Sequence, residues 1–303
     1  MTEIAISVKN LSKNYGDIIA INNLSFDINK GELFGFIGPD GAGKTTLFRI
    51  LTTLLLPDKG YATVIGYDIV KDYKKIRNIL GYMPGKFSLY QDLSVEENLS
   101  FFATIFGTTI SENYELIKDI YVQIEPFKKR PAGKLSGGMK QKLALCCALI
   151  HKPEFLVLDE PTTGVDAVSR KEFWEMLRKL KDSGITIIVS TPYMDEAGLC
   201  DRVSLMQGGN ILSTNTPVNI IKEFDNTLFA VKTNNMYSLI HDLKAWTKTE
   251  SSHLFGQYVH LTLHEGNQND IRRFLETKSH RSIEIKQIEA CIEDSFMRLM
   301  SKN

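Results

Sequence analysis

The sequence is poor in cysteine, has no long apolar run and carries no excess of either charge. Its four cysteines (Cys146, Cys147, Cys200 and Cys291) are too few for a disulfide scaffold and lack paired metal-ligand spacing, so we expect reduced, mostly buried thiols. No apolar run approaches the roughly 18 residues that cross a bilayer. Lys plus Arg equals Asp plus Glu at 36 each, so no overall field attracts nucleic acid. No nucleic-acid partner is therefore expected.

The chain is long enough for two domains, and its opening does not resemble that of a secreted protein. A length of 303 residues with 43% hydrophobic content is sufficient for at least one large core. The opening residues Met1, Thr2 and Glu3 do not begin a basic and apolar secretory signal. We therefore expect a cytoplasmic protein of two domains.

Hydrophobic periodicity divides the chain near residue 220. Before this point, nearly continuous apolar runs such as 33–37, 155–158 and 185–189 are typical of strands covered on both faces, which predicts an α/β domain with a largely parallel sheet. After Pro217, short strand-like and helical segments alternate in a roughly ferredoxin-like order. We therefore predict two domains, 1–220 and 221–303, the second being small and α+β.

The most informative stretch follows the apolar run 33–37 and precedes the helical run 47–51. A Walker A loop in this strand-loop-helix context binds nucleotide phosphates, because its glycines aim backbone N–H groups at the phosphate oxygens. Lys44 is expected to reach the β- and γ-phosphates of ATP, and Thr45 to bind Mg²⁺. The predicted nucleotide-binding residues of this loop are Gly38, Asp40, Gly41, Ala42, Gly43, Lys44, Thr45 and Thr46.

A second apolar run, 155–158, ends in the two carboxylates Asp159 and Glu160. Asp159 is predicted to join the Mg²⁺ shell, and Glu160 to polarise the attacking water. Strands often end in acidic residues, so this motif alone is weakly specific.

Between these two motifs lies the sequence LSGGMKQ, residues 135–141. The order and spacing of the three motifs, which are Walker A, this signature and the acidic strand end, resemble those of the ATP-binding cassette family. The resemblance covers residues from about 8 to 214. It implies a P-loop NTPase cassette with a helical subdomain, at about 86–150, that binds ATP and Mg²⁺ and pairs head to tail with a second cassette. Ser136, Gly137 and Gly138 would then contact the ATP held by the partner. A Ser helix cap is an equally valid description of Ser136.

Two further residues take their roles from the same resemblance. Tyr15 matches the aromatic residue that stacks on adenine, although a lone tyrosine is more often a packing residue. Asp166, in Gly164-Val165-Asp166, matches the loop that links the two sites of a cassette dimer, and its alternative is an ordinary turn.

The chain departs from the family at two positions close to the γ-phosphate. Gly85 stands where a glutamine usually contacts Mg²⁺ and water, and Gln91 is not expected to compensate. Pro192 replaces a histidine, and proline offers neither a side-chain donor nor a backbone N–H. Loss of one preorganised donor commonly slows a reaction by about a hundredfold or more, so slow hydrolysis is expected.

The segments 81–84, 87–90 and 190–197, and more loosely the ending 292–300, resemble the ATPases of ABC-2-type exporters. That resemblance implies a separate transmembrane permease as partner and a peripheral position on the inner face of the plasma membrane. Ser94 and Glu97 form a capping box that opens a helix carrying several aromatic residues. The candidates for contact with the permease are Phe87, Ser88, Leu89 and Tyr90.

Two alternatives to a transporter ATPase remain at this stage. A soluble cassette ATPase of translation or repair would usually carry two cassettes or a long coiled-coil insertion, and neither is present. A nucleotide-gated module that dimerises with little turnover is favoured by Gly85 and Pro192. Such a module would form the non-catalytic half of an asymmetric cassette pair.

Overall fold

A computed structural model of the protein describes residues 3–302. The chain forms two compact units, the first ending at Pro217 and the second beginning at Val218. The first unit contains the strands β1 Ile4–Tyr15, β2 Ile18–Asn29, β3 Leu33–Ile37, β4 Lys59–Val64, β5 Tyr67–Asp68, β6 Leu80–Met83, β7 Phe155–Asp159, β8 Thr186–Thr191, β9 Arg202–Gln207 and β10 Asn210–Asn215. Its helices are α1 Lys44–Leu51, α2 Tyr73–Ile79, α3 Val95–Ile105, α4 Tyr114–Tyr121, α5 Gly137–Leu149 and α6 Ala167–Asp182.

The central sheet of the first unit has six strands in the order β10-β9-β3-β8-β7-β6. All neighbouring pairs are parallel except β10 with β9. Every residue of β3, β7 and β8 is buried, as expected for central strands that are covered on both faces. The predicted α/β cassette fold is confirmed. The order also brings the carboxyl ends of β3, β8 and β7 to one edge, where the candidate site forms.

A second sheet in this unit is antiparallel, with four strands in the order β2-β1-β4-β5. The prediction of a largely parallel sheet did not include it. Its strands β1 and β2 are 12 residues long, and their pairing is interrupted by register shifts, including one between Val8 and Leu11. Such irregularities disturb the alternation of apolar and polar residues by which an antiparallel strand is recognised in sequence.

The predicted helical segment contains α3, α4 and α5. Ser94 caps α3 in a complete capping box with Glu97, as its sequence predicts. Short 3-10 helices at Glu125–Phe127 and Ala132–Lys134 lead into α5, which begins directly after Ser136. The signature sequence therefore occupies the N-terminal turn of a helix.

The second unit is a four-stranded antiparallel sheet with helices. After α7 Pro217–Lys222 at the junction come β11 Leu228–Lys232, α8 Met236–Ala245, β12 Thr249–Phe255, β13 Tyr258–Leu263, α9 Gln268–Thr277, β14 Glu284–Ile288 and α10 Ile292–Lys302. The strand order β12-β13-β11-β14 with a βαββαβ succession is ferredoxin-like. Sequence analysis missed β12, because this edge strand is mostly polar and only Ser252 in it is buried. The division into domains 1–220 and 221–303 remains a prediction.

Within residues 3–302, no helix combines the length and apolar character that a bilayer span requires. The free thiols of Cys146, Cys147 and Cys200 are buried, as expected, whereas Cys291 is exposed.

Candidate functional site

The loop between β3 and α1 is held closely by two other backbone segments. A Cβ atom at Gly38 would lie 2.2 Å from the carbonyl oxygen of Met206. At Gly43, where φ is +100°, a Cβ atom would lie 2.4 Å from the carbonyl oxygen of Ala20. Glycine is therefore required at both positions by backbone contact as well as by conformation.

Lys44 begins α1 and turns its side chain back over this loop. Its ammonium group donates hydrogen bonds to the carbonyl oxygens of Gly38 at 2.7 Å and Pro39 at 3.0 Å. It also lies 3.2 Å from Oε1 of Glu160, and its side chain is only 3% exposed. The structure thus brings together the predicted phosphate ligand and the predicted general base, from motifs more than a hundred residues apart in the chain.

The other predicted loop residues differ in exposure. Asp40 and Gly41 are exposed at the tip of the loop, and Ala42 is buried. Thr45 and Thr46 are half-buried in the first turn of α1. The hydroxyl of Thr45 and the carboxylate of Asp159 are hard oxygen donors, and Mg²⁺ typically takes one or two such ligands beside phosphate and water. These residues fit the predicted metal.

Asp159 and Glu160 stand at the carboxyl end of β7 and share a partner on β8. The Ser190 hydroxyl donates to Oδ1 of Asp159 at 2.6 Å, and the backbone N–H of Glu160 donates to Ser190 Oγ at 2.9 Å. Burial, together with the nearby Asp159, raises the pKa of Tyr82 to about 12. Sequence analysis missed Ser190, because β8 carries hydroxyl groups at 186, 190 and 191 and the sequence does not show which of them meets a carboxylate.

The structure places both departures from the family pattern near this centre. At Gly85, a Cβ atom would lie 3.1 Å from the backbone oxygen of Asp159 and 3.8 Å from its carboxylate carbon. Gln91 instead lies against Gly133, whose N–H donates to the Gln91 carbonyl at 2.8 Å. Pro192 directly follows β8. Position 85 therefore lies beside Asp159 without a side chain.

The signature residues form a separate cluster with the loop that ends at Asp166. The Ser136 hydroxyl accepts from the N–H of Met139 at 3.4 Å, so this residue caps α5. A Cβ atom at Gly138 would lie 2.7 Å from Ser169 Oγ. Asp166 caps α6, and hydrogen bonds from Ser169 hold the pKa of its carboxyl below the usual range. Among residues 3–302, no hydrogen bond or ion pair joins the signature residues to Lys44 or Glu160.

Tyr15 ends β1 and is paired in register with Ile18 of β2. Tyr15 is 44% exposed and Ile18 is 70% exposed. Lys13 and Asp58, 2.6 Å apart, fix this end of the sheet. Ile18, which was not predicted as a site residue, thus lies exposed beside the predicted adenine-stacking residue.

Comparisons with known proteins identify the family of this chain. Residues 21–163 match the family described as "ABC transporter". The "Probable multidrug ABC transporter ATP-binding protein YbhF" of Escherichia coli strain K12 is 39% identical over 254 residues, which are 82% of this chain and 43% of that protein. The "Nod factor export ATP-binding protein I" of Rhizobium sp. strain N33 is 39% identical over 226 residues, 74% of either chain.

A solved structure shows the same fold at lower sequence identity. The structure of cbiO1 from Clostridium perfringens, part of the ABC transporter complex cbiONQ, is 28% identical with a TM-score of 0.66, and the match covers 73% of this chain and 92% of that one. Walker A, the signature and the carboxylates thus occur together in a cassette fold, although the chain spans less than half the length of the Escherichia coli relative. The chain therefore belongs to the ABC transporter family, as one of its ATP-binding cassettes.

Proposed function

We propose that this chain binds Mg-ATP and hydrolyses it to drive a separate permease of an ABC-2-type exporter, at the cytoplasmic face of the plasma membrane. The observation that carries the proposal is the contact of Lys44 with Glu160 at 3.2 Å, beside the buried Asp159. The export named for the Rhizobium relative supports the direction of transport. Stimulation of ATP hydrolysis by a six-helix membrane protein encoded beside this chain, after reconstitution in vesicles, is the test.

In this mechanism the loop at 38–43 and the N-terminus of α1 would bind the phosphates, with Lys44 on the β- and γ-phosphates. Thr45 and Asp159 would hold Mg²⁺, which neutralises phosphate charge when bound. Glu160 orients and polarises the attacking water, and Ser190 fixes its backbone. The accessory unit beyond residue 220 contributes none of these groups.

The position of Tyr15 leads to a prediction on nucleotide affinity. The exposed ring, with Ile18 beside it, offers a surface on which adenine stacks, and such stacking contributes about 1–3 kcal/mol. Tyr15→Ala is therefore expected to weaken Mg-ATP binding by that amount in calorimetry. Tyr61→Ala, which removes a ring that is 58% exposed on β4, is the control and should leave the affinity unchanged. Equal effects in the two variants would contradict the adenine contact.

Ser136, Gly137, Gly138 and Asp166 are proposed to complete the site of a second cassette. Ser136 and Gly137 are exposed, and they lie at the N-terminus of α5, which favours anions. Their separation from the Lys44 centre within one chain supports a head-to-tail dimer, in which each ATP lies between two chains.

An apolar groove between the central sheet and the helical segment is proposed to receive a helix of the permease. Its volume is ≈ 540 Å³, and its lining includes Leu54, Met83, Ser88, Leu89 and Phe102. Two of the four residues expected to contact the permease, Ser88 and Leu89, therefore line the groove. Of the other two, Phe87 lies under the ammonium group of Lys140 at 5.5 Å, and Tyr90 packs edge-on against Phe101 at 4.8 Å.

A charge at the lip of this groove should uncouple the cassette from its permease. Leu54→Glu places a carboxylate on an apolar contact surface, and an unpaired buried charge is strongly destabilising for a complex. We expect loss of co-purification with the permease and of its stimulation of ATPase activity, with nucleotide affinity unchanged. Leu56→Glu is the matched control, since Leu56 is 63% exposed and lies outside the groove. Identical behaviour of the two variants would reject this docking surface.

A second candidate function rests on Gly85 and Pro192. With no side chain at 85 facing Asp159, the chain would serve as the weak half of an asymmetric pair. Its signature residues would complete a partner's hydrolytic site, while ATP on its own Walker motifs holds the dimer closed. Single-turnover hydrolysis by the purified chain alone separates the two functions. Brisk turnover that depends on Glu160 supports the first, and tight binding without turnover until a second cassette is added supports the other.

A further inference from the structure

A buried carboxylate outside the recognised motifs lies close behind the candidate site. Glu196 is in the 3-10 helix Met194–Leu199, which follows β8, and it is 2% exposed. Its Oε1 accepts a hydrogen bond from the Thr162 hydroxyl at 2.8 Å, whereas its Oε2 has no partner among residues 3–302. A buried carboxylate with one unpaired oxygen adds little to stability compared with an apolar residue of similar size. Stability alone does not account for this residue.

The partner of Glu196 belongs to the same turn as the proposed general base. Thr162 is 1% exposed and lies two residues after Glu160. Glu160 itself has φ of +49°, a left-handed conformation that a non-glycine residue adopts only when its surroundings hold it there. Ser190 holds the N-terminal side of this turn. The bond from Thr162 to Glu196 holds the C-terminal side.

The same region is tied to the helix that Asp166 caps. Arg170 of α6 donates to Asp195 at 3.0 Å, and its Nε lies 3.7 Å from Oε1 of Glu196. The guanidinium group also packs over the ring of Tyr193 at 4.9 Å. The carboxylate of Glu196 thus lies where three segments meet: the one after Pro192, the turn of Glu160 and the start of α6.

We propose that Glu196 is a positioning residue for hydrolysis, which fixes the turn of Glu160 through the hydroxyl of Thr162. The inference rests on the proposed hydrolysis of ATP by Glu160. Because Pro192 has no side-chain donor, the segment after β8 acts on the site through this buried bond. Glu196 touches neither the nucleotide loop nor Lys44, so its removal affects the rate of the chemical step and not the binding of ATP.

The test compares variants of the full chain by single-turnover hydrolysis, ATP affinity and thermal melting. Thr162→Val removes the hydroxyl and is expected to lower kcat by about ten- to a hundredfold, since small misplacements of a catalytic group have effects of that size. Thr162→Ser keeps the hydroxyl and should keep kcat. The double variant Thr162→Val with Glu196→Met removes the bond without leaving a buried carboxylate unpaired, so it should melt like the wild type yet remain slow. ATP affinity should be unchanged in all three.

Asp195→Asn is the matched control in the same 3-10 helix, because Asp195 is exposed and its ion pair with Arg170 contributes little. Wild-type kcat in the double variant would overturn the proposal, as would a parallel loss of ATP affinity. Glu160→Gln, measured beside these variants, distinguishes a failure of the proposed role of Glu196 from a failure of the proposed function. If it abolishes turnover while the double variant is fast, hydrolysis by Glu160 stands and only the role of Glu196 fails. If it leaves turnover intact, the proposed function itself fails.

Discussion

Replacing Lys44 by alanine is expected to weaken Mg-ATP binding more than any other single change in this chain. The ammonium group is 3% exposed and makes three close contacts, with two loop carbonyls and with Glu160. Removing one partner from a buried, hydrogen-bonded charge pair costs about 2–5 kcal/mol, which is roughly a thirty- to several-thousand-fold change in affinity. Titration calorimetry with Mg-ATP measures this directly.

Lys30→Ala is a suitable control for Lys44→Ala. Lys30 also pairs with a glutamate, Glu3, at 3.2 Å, but its side chain is 45% exposed. An exposed ion pair contributes far less free energy than a buried one. The Lys30→Ala variant should therefore bind ATP with the affinity of the wild type. An unchanged affinity in Lys44→Ala, in a protein that melts normally, would reject the assignment of the phosphate-binding loop.

Replacing Glu160 by glutamine should abolish most turnover while leaving ATP bound. A general base contributes about 10²–10⁴-fold to a rate, and the amide cannot accept the proton of the attacking water. The two departures at Gly85 and Pro192 remove other groups from the site, so the remaining rate depends all the more on this carboxylate. Single-turnover hydrolysis should therefore fall by about a hundredfold or more, with calorimetric ATP affinity retained.

The control for Glu160→Gln lies at the other end of the same strand. Glu154 immediately precedes β7 and is exposed, so Glu154→Gln changes the same functional group without touching the site. It should hydrolyse ATP at the wild-type rate. Equal rates for Glu160→Gln and the wild type would mean that another group activates water.

The parts of the fold and site that could be predicted are those in which local sequence and structure coincide. The phosphate loop needs glycine at 38 and 43, follows a fully buried strand and opens a helix, so all its signals fall within about twenty residues. The same holds for the capping box of α3 at Ser94. Such motifs can be recognised in the sequence because residues that are neighbours in sequence are also neighbours in space.

What could not be predicted depends on contacts between distant segments or on weak local patterns. Ser190 meets Asp159 only because β8 is placed beside β7, and nothing in the identity of a serine indicates that pairing. The bond between Thr162 and Glu196 spans 34 positions in the same way. The strand β12 was missed because its polar edge position lacks the apolar alternation that marks a strand.

The close backbone contacts at Gly38 and Gly43 also determine when the phosphate loop loses its conformational freedom. Fixing the backbone of one residue costs about 1–2 kcal/mol in entropy, so ordering a loop of roughly six residues at the moment of binding would cost on the order of 10 kcal/mol. That is comparable to the whole binding free energy of a micromolar ligand, about 8 kcal/mol. Met206 and Ala20 already confine the two ends of this loop, so the entropy of Gly38 and Gly43 is lost during folding. If the loop binds nucleoside triphosphates as proposed, they would meet preorganised phosphate-binding ends, and discrimination between bases would then depend on the proposed contact of adenine with Tyr15.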